Sequence, residues 1–187
     1  GGGGRVALIV DTLTLPESRI EALAGQSGNY RDGGNGTVYI RRAGQSNGDL
    51  VIDGYGIATP NDQNSIPGGY TFDNLTLRGA ARVNADQGLN VTGTLLVTGG
   101  ATLSHRDQLE AGLVIEAGTV QVDSGSAIDV SGRGWRGGWG YNEAGVTLGN
   151  IYGSQHATGG SYGGKGATAT DGRDSGLVYG DLKWPDE

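Results

Sequence analysis

The middle of this chain is periodic. From Asn74 to Gly132 the sequence can be written as three successive lines: "NLTLRGAARVNADQGLNVTG" (74–93), "TLLVTGGATLSHRDQLEAG" (94–112) and "LVIEAGTVQVDSGSAIDVSG" (113–132). Each line opens on alternating apolar positions: Leu75/Leu77, Leu95/Val97 and Leu113/Ile115. Each then turns at a glycine (Gly79, Gly99, Gly118) and resumes with Ala81/Val83, Ala101/Leu103 or Val120/Val122. A polar corner with an aspartate follows, at Asp86, Asp107 and Asp123. A third segment is clear at Leu89/Val91 and at 127–130, and weak in the middle line. Alternation with period two sends one set of side chains inward. Three short strands and three corners in about 20 residues return the chain one strand spacing, about 4.8 Å, above its start. The expected fold is therefore all-β: a parallel β-solenoid (β-helix) with about 20-residue, three-strand coils and a glycine-rich loop region. An antiparallel sandwich or jelly roll competes with it, but its strands recur at about 8–12 residues, further apart than these.

The flanking thirds extend the pattern less regularly. Residues 1–73 carry the same kind of strand ("RVALIVDTLTL", "GTVYIRR", "GDLVIDG") between polar excursions ("GQSGNYRDGGN", "ATPNDQNSIPGGY"). One stretch, "PESRIEALAG" (Pro16 to Gly25), has proline at a first helical position and glycine at a C-cap. Its alternative is an outer loop followed by a strand. Elsewhere glycine interrupts every helical period, at about 1 kcal/mol each against alanine. Glycine numbers 39 of 187 and crowds the last third, where strand signal vanishes until "GLVYGDLKW". The expected organisation is a single solenoid unit over 1–187: loop-bearing coils in 1–73, three regular coils in 74–132, and a glycine-rich region with a return strand in 133–187. With one phenylalanine, the core must be narrow and built from slender aliphatic side chains.

Charge and missing residue types exclude several function classes. The formal net charge of −7 is spread along the chain and disfavours nucleic acid, whose phosphates are met by cations. The longest apolar run, "VALIV" (Val6 to Val10), is far too short for membrane insertion as a helix. Without cysteine there is neither a disulfide framework nor a thiolate metal site, as in bacterial secreted proteins that rely on regular β architecture. With no methionine and the opening "GGGGR", the chain is expected to be a fragment or processed piece of something longer.

The order "GGGGRVALIVDTLTL", "GNGTVYIRR", "GDLVIDG", "FDNLTLRGAARVN", "LNVTGTLLVTGGATL", "GTVQVDSGSAIDVSGRGW", "GGSYGGKGA" and "YGDLKWPDE" resembles the glycine-rich β-helical repeats of very large bacterial surface or secreted proteins, adhesin-like and filament-like. The resemblance covers nearly the whole chain. It implies an extracellular or cell-surface location, a tandem array, and neighbouring copies of the same unit as partners. No catalytic residue transfers with it.

Several stretches carry chemical signals on that background. Gly132-x-Gly134-x-x-Gly137 has dinucleotide-loop spacing, yet no helix can follow in "GWGYNEAGVTLGNIYG". Gly159-x-x-x-x-Gly164-Lys165 matches a P-loop until Gly166 stands where Ser or Thr must hold magnesium. The "RGWRGGWGY" stretch has RGG-like arginines and aromatics without repeated units. Trp135, Trp139, Tyr141, Tyr152 and Tyr162 read as rings covering this unit or its neighbour, or as a sugar-stacking platform for surface glycans. Asp86, Asp107 and Asp123 either bond turn N–H groups or stack into a ladder that binds calcium through oxygen ligands. Calcium is the sole cofactor to consider. The histidines, His105 and His156, read as exposed loop residues. Asn-x-Ser/Thr triplets at Asn35, Asn74 and Asn90 mean little in a bacterial protein.

The functional expectation is a non-catalytic structural or adhesive repeat unit of an extracellular surface protein or fibre. The alternative is a carbohydrate-binding or polysaccharide-cleaving β-helix module, for which two carboxylates about 5–9.5 Å apart would be needed in a glycosidase. A phage or secretion-system fibre segment, which requires trimerisation, is a third.

Overall fold

The computed structural model describes residues 1–25, 33–57, 64–138, 145–147, 151–152, 158–161 and 163–178. The chain divides into two compact units. The first comprises Gly1–Ser104 with Val114–Asp129, and the second His105–Leu113 with Val130–Glu187.

In the first unit the strands are β1 (Arg5–Val10), β2 (Thr37–Arg42), β3 (Asp49–Asp53), β4 (Asn64–Ile66), β5 (Thr71–Phe72), β6 (Asn74–Arg78), β7 (Arg82–Ala85), β8 (Leu89–Val97), β9 (Thr102–Ser104), β10 (Ile115–Val122) and β11 (Ala127–Ile128). They form a seven-stranded sheet, ordered β1-β2-β3-β6-β8-β10 with β5 also on β8, and a four-stranded sheet ordered β11-β9-β7-β4. The second sheet is wholly parallel, while the first is mixed because β2 and β3 pair antiparallel. Among the described residues helix is confined to a single 3-10 turn, Glu17–Arg19, entered through Pro16. The 16–25 stretch thus forms neither a longer helix nor a strand among the described residues.

The described residues are mostly sheet with almost no helix, but the expected all-β parallel solenoid of three-strand coils does not form. Two sheets form, one of them mixed, and no third sheet accompanies them in this unit among the described residues. The register shows why. Between β6 and β8 the offset is the expected 20 residues, with Leu75 beside Leu95 and Leu77 beside Val97. The next step is not. Gly118 lies inside β10 at a bulge, so Ile115 pairs with Leu89, Val120 with Leu95 and Val122 with Val97. The third line therefore opens one strand earlier in phase than its alternation implies. Likewise β8 runs unbroken through Gly93, where the first line ends. The second polar excursion also contains a strand, β4, which joins β7.

Burial explains the two sheets. Leu50, Leu75 and Leu95 are register neighbours on β3, β6 and β8, as are Ile52, Leu77 and Val97; exposure among these six is 0–7%. The parallel sheet adds Val83 and Leu103 at 0–1%. Each such side chain contributes about 1.5–3 kcal/mol of burial. At the antiparallel β2–β3 junction the apolar face changes sides. Val38 and Ile40 are buried in a cluster with Ala22, Val6, Leu8, Leu13, Ile20 and Val51. Residues opposite each other in a pair share a face, so Tyr39, beside Leu50, lies on the face that the rest of the sheet uses for its core.

A polar network fixes the chain entering β3 and β6. Asp73 accepts hydrogen bonds from the backbone N–H groups of Asn47 (3.1 Å) and Gly48 (2.9 Å), and from the Asn47 amide (3.1 Å). Asn74 donates to Asp49 at 2.8 Å and accepts from the N–H of Thr94 at 3.0 Å. Tyr55, at φ +53°, accepts the Ala22 N–H on its phenol oxygen at 2.7 Å and so ties the 11–25 segment to the end of β3.

Among the described residues of the second unit, β12 (Val146–Thr147) and β13 (Ile151–Tyr152) pair antiparallel. Backbone also packs on backbone. The N–H of Gly138 donates to Thr158 O at 3.0 Å, and that of Gly159 to Ala167 O at 2.8 Å. A Cβ on Gly160 would lie 1.9 Å from Trp135 O, so only glycine fits there. Among the described residues of this unit the buried side chains are His105, Leu109 and the hydroxyl-bearing Thr158, Ser161 and Ser175. Ser161 donates to Gly176 O at 2.7 Å and accepts from the Gly166 N–H at 3.0 Å, and Ser175 donates to Gly166 O at 2.9 Å.

Candidate functional surface

Of the residues singled out from sequence, Asp86 and Asp123 lie in the first unit and occupy different turns there. Asp86 stands half-buried in the turn after β7. Asp123 stands at a different turn, after β10, where its N–H donates to Val97 O at 2.9 Å and its carbonyl accepts from the Ser126 N–H at 3.0 Å. Hydrogen bonds from the side chains of Gln121 and then Thr98 hold its carboxyl below the usual carboxylate range. Asp107, in the second unit, pairs with Arg133 at 2.5 Å. Among the described residues no group of three or more His, Asp or Glu is arranged to hold a metal ion.

Of the aromatic set, Trp135 is half-buried, and its indole N–H finds no hydrogen-bond partner among the described residues. Tyr152 ends β13. Trp139, Tyr141 and Tyr162 lie outside the described residues, as does His156. His105 is buried at 6% exposure, not exposed as its loop setting implied, with Nδ1 2.6 Å from Arg106 O. The glycines after β11 lead into a turn at 131–132, and the described residues through 138 form no helix, so the dinucleotide-loop spacing has no structural counterpart among them. No helix among the described residues is long and apolar enough to cross a membrane.

A surface that sequence reasoning missed lies where both sheets of the first unit end. β10 is the last strand of one sheet and β11 the last of the other. Their side chains occupy core register: Val120 beside Leu95, Val122 beside Val97, Ile128 beside Leu103. Those three partners are 0% exposed, whereas Val120, Val122 and Ile128 are 47%, 42% and 39% exposed. The core positions of the last strands are thus open to solvent. β10 is eight residues long, an edge of about 26 Å at 3.3 Å per residue. It carries no proline or lysine, the usual guards of an edge strand, and one charged side chain, Glu116. No protein-family model, curated protein or solved structure matches the chain.

Proposed function

We propose that this chain is a structural, non-catalytic unit that packs on a neighbouring copy through the open edge made by β10 and β11. The observation that supports this reading is the exposure of Val120, Val122 and Ile128 at positions whose register partners are fully buried. An added strand pair satisfies the outward N–H and C=O groups of β10 and completes the apolar layer at once. A bacterial surface or secreted location goes with this role on the strength of the sequence resemblance.

The magnitudes favour a tethered neighbour over a free one. The exposed fractions of the three side chains amount to little more than one side chain, so covering them contributes about 2–4 kcal/mol. Association costs at least about 4 kcal/mol in lost translational and rotational freedom, and ladder hydrogen bonds must supply the rest. Free copies therefore associate weakly, while a covalently linked copy at millimolar effective concentration docks. Hydrogen exchange on one copy and on a two-copy fusion tests this. The β10 amides gain protection in the fusion, and V120K in the docking copy removes it. Equal exchange of β10 in both forms overturns the proposal.

A further inference from the structure

A second open surface lies elsewhere in the first unit, and its chemistry differs. On the face where β3, β6 and β8 bury Leu50, Leu75 and Leu95, β1 and β2 present Arg5, Thr37 and Tyr39 instead. The parallel sheet ends at β4. Between β4, β5 and the exposed face of β1–β2 is an open groove of about 480 Å³, within the range of small-molecule sites, about 300–1,000 Å³.

Three of its lining residues are aromatic: Tyr39, Tyr70 and Phe72. Tyr70 and Phe72 are stacked with ring centroids 6.3 Å apart and planes 14° from parallel. Phe72 is buried beneath while Tyr70 is 59% exposed. Tyr39 is held in place. Its hydroxyl donates to Asn47 O at 2.7 Å, and its ring crosses Gly48 so closely that a Cβ there would lie 2.8 Å from Cζ and Oη. Asp73 in turn fixes the backbone of Asn47 and Gly48. The Tyr39 ring is therefore set before any ligand arrives, which lowers the ordering cost of binding. Hydroxyls of Thr37, Ser65 and Thr71 line the same groove.

The charge is the deciding feature. In a chain of net charge −7, the groove's described lining contains one cation, Arg5, and no carboxylate. The Arg5 side chain makes no ion pair or hydrogen bond among the described residues. A flat aromatic ring, several hydroxyls and a guanidinium free to bind a carboxylate through both nitrogens suit a sugar ring that bears an acid. We infer that this groove binds a hexuronate residue of an acidic polysaccharide, with the pyranose on Tyr70 and Tyr39 and its carboxylate on Arg5. The site shares no residue with the β10–β11 edge and does not depend on the role proposed for it.

Titration calorimetry with trigalacturonate and with the neutral galactotriose tests the assignment. The uronate binds about ten-fold more tightly than the neutral sugar, and R5Q removes that difference. Y70A abolishes binding of both, while W135A and V120K leave both unchanged. Each variant is checked by circular dichroism to be folded. Equal binding of the two sugars, indifference to R5Q or Y70A, or no binding of the uronate overturns the inference. So does benzoate competing as well as the uronate, since that would make the site a general aromatic-acid pocket.

Discussion

Val97 and Val122 are the same residue in the same register, one strand apart, yet one is 0% and the other 42% exposed. Replacing each by alanine removes identical atoms, so the difference in stability measures the missing layer over β10. At Val97 the loss is about 1.6 kcal/mol for two methyl-sized groups at about 0.8 each, plus a cavity contribution, or about 2–3 kcal/mol in total. At Val122 rather more than half of the side chain is covered and no closed cavity forms, so the cost is about 1 kcal/mol or less. Urea unfolding followed by circular dichroism reads both, and the thermal midpoint falls by about 4–12 °C for V97A against at most about 4 °C for V122A. In a two-copy fusion whose edge is docked, the cost of V122A in the docking copy rises toward that of V97A. Equal losses for the two variants in the single copy would mean that β10 is already covered and that its edge is not open.

Two further outcomes rest on particular contacts. At Asp73, partial desolvation acts to raise the pKa, but hydrogen bonds from the Gly48 and Asn47 N–H groups, the Asn47 amide and Thr92 outweigh it and hold the carboxyl below its ordinary 3.8. The folded-state pKa is depressed, so the stabilisation is complete above about pH 4 and is lost as pH falls through the lower folded value; acid unfolding of D73N lacks that component. In the second unit, G160A drives a Cβ into the Trp135 carbonyl and costs about 1–3 kcal/mol, whereas G163A, with nothing within 4 Å, stays within about 0.5 kcal/mol. Limited proteolysis of the 130–178 region separates them.

Much of the fold was legible in sequence because period-two alternation is a direct consequence of strand geometry. The strands β6, β7 and β9, and the positive-φ turn at Gly99 and Gly100, lie where alternation and glycine place them. The register of β10 was not legible, because a glycine between two apolar pairs reads the same whether it turns the chain or sits in a bulge. Gly118 does the second: a Cβ there would lie 2.7 Å from Thr92 O of the neighbouring strand. The swap of buried face in β1–β2 was equally hidden, since "VALIV" is apolar on both faces and nothing local says which one meets Leu13, Ile20 and Ala22. It is this swap that leaves Tyr39 and Arg5 on open ground.

The same distinction separates the candidate surfaces from the residues that sequence reading favoured. Aspartates and tryptophans draw attention because their chemistry is visible one residue at a time, yet Asp107 proves to be ion-paired and the Asp123 carboxylate to be bonded by Gln121 and Thr98. Val120, Val122 and Ile128 draw none, because as a pattern they repeat Leu95, Val97 and Leu103. A sequence records which side chains are fit for burial, while only the arrangement of strands records whether anything buries them. Where the two disagree, at β10 and β11, the chain is built for a layer that its described residues do not supply. That mismatch makes the edge, more than any single reactive group, the part of the molecule that points to its role.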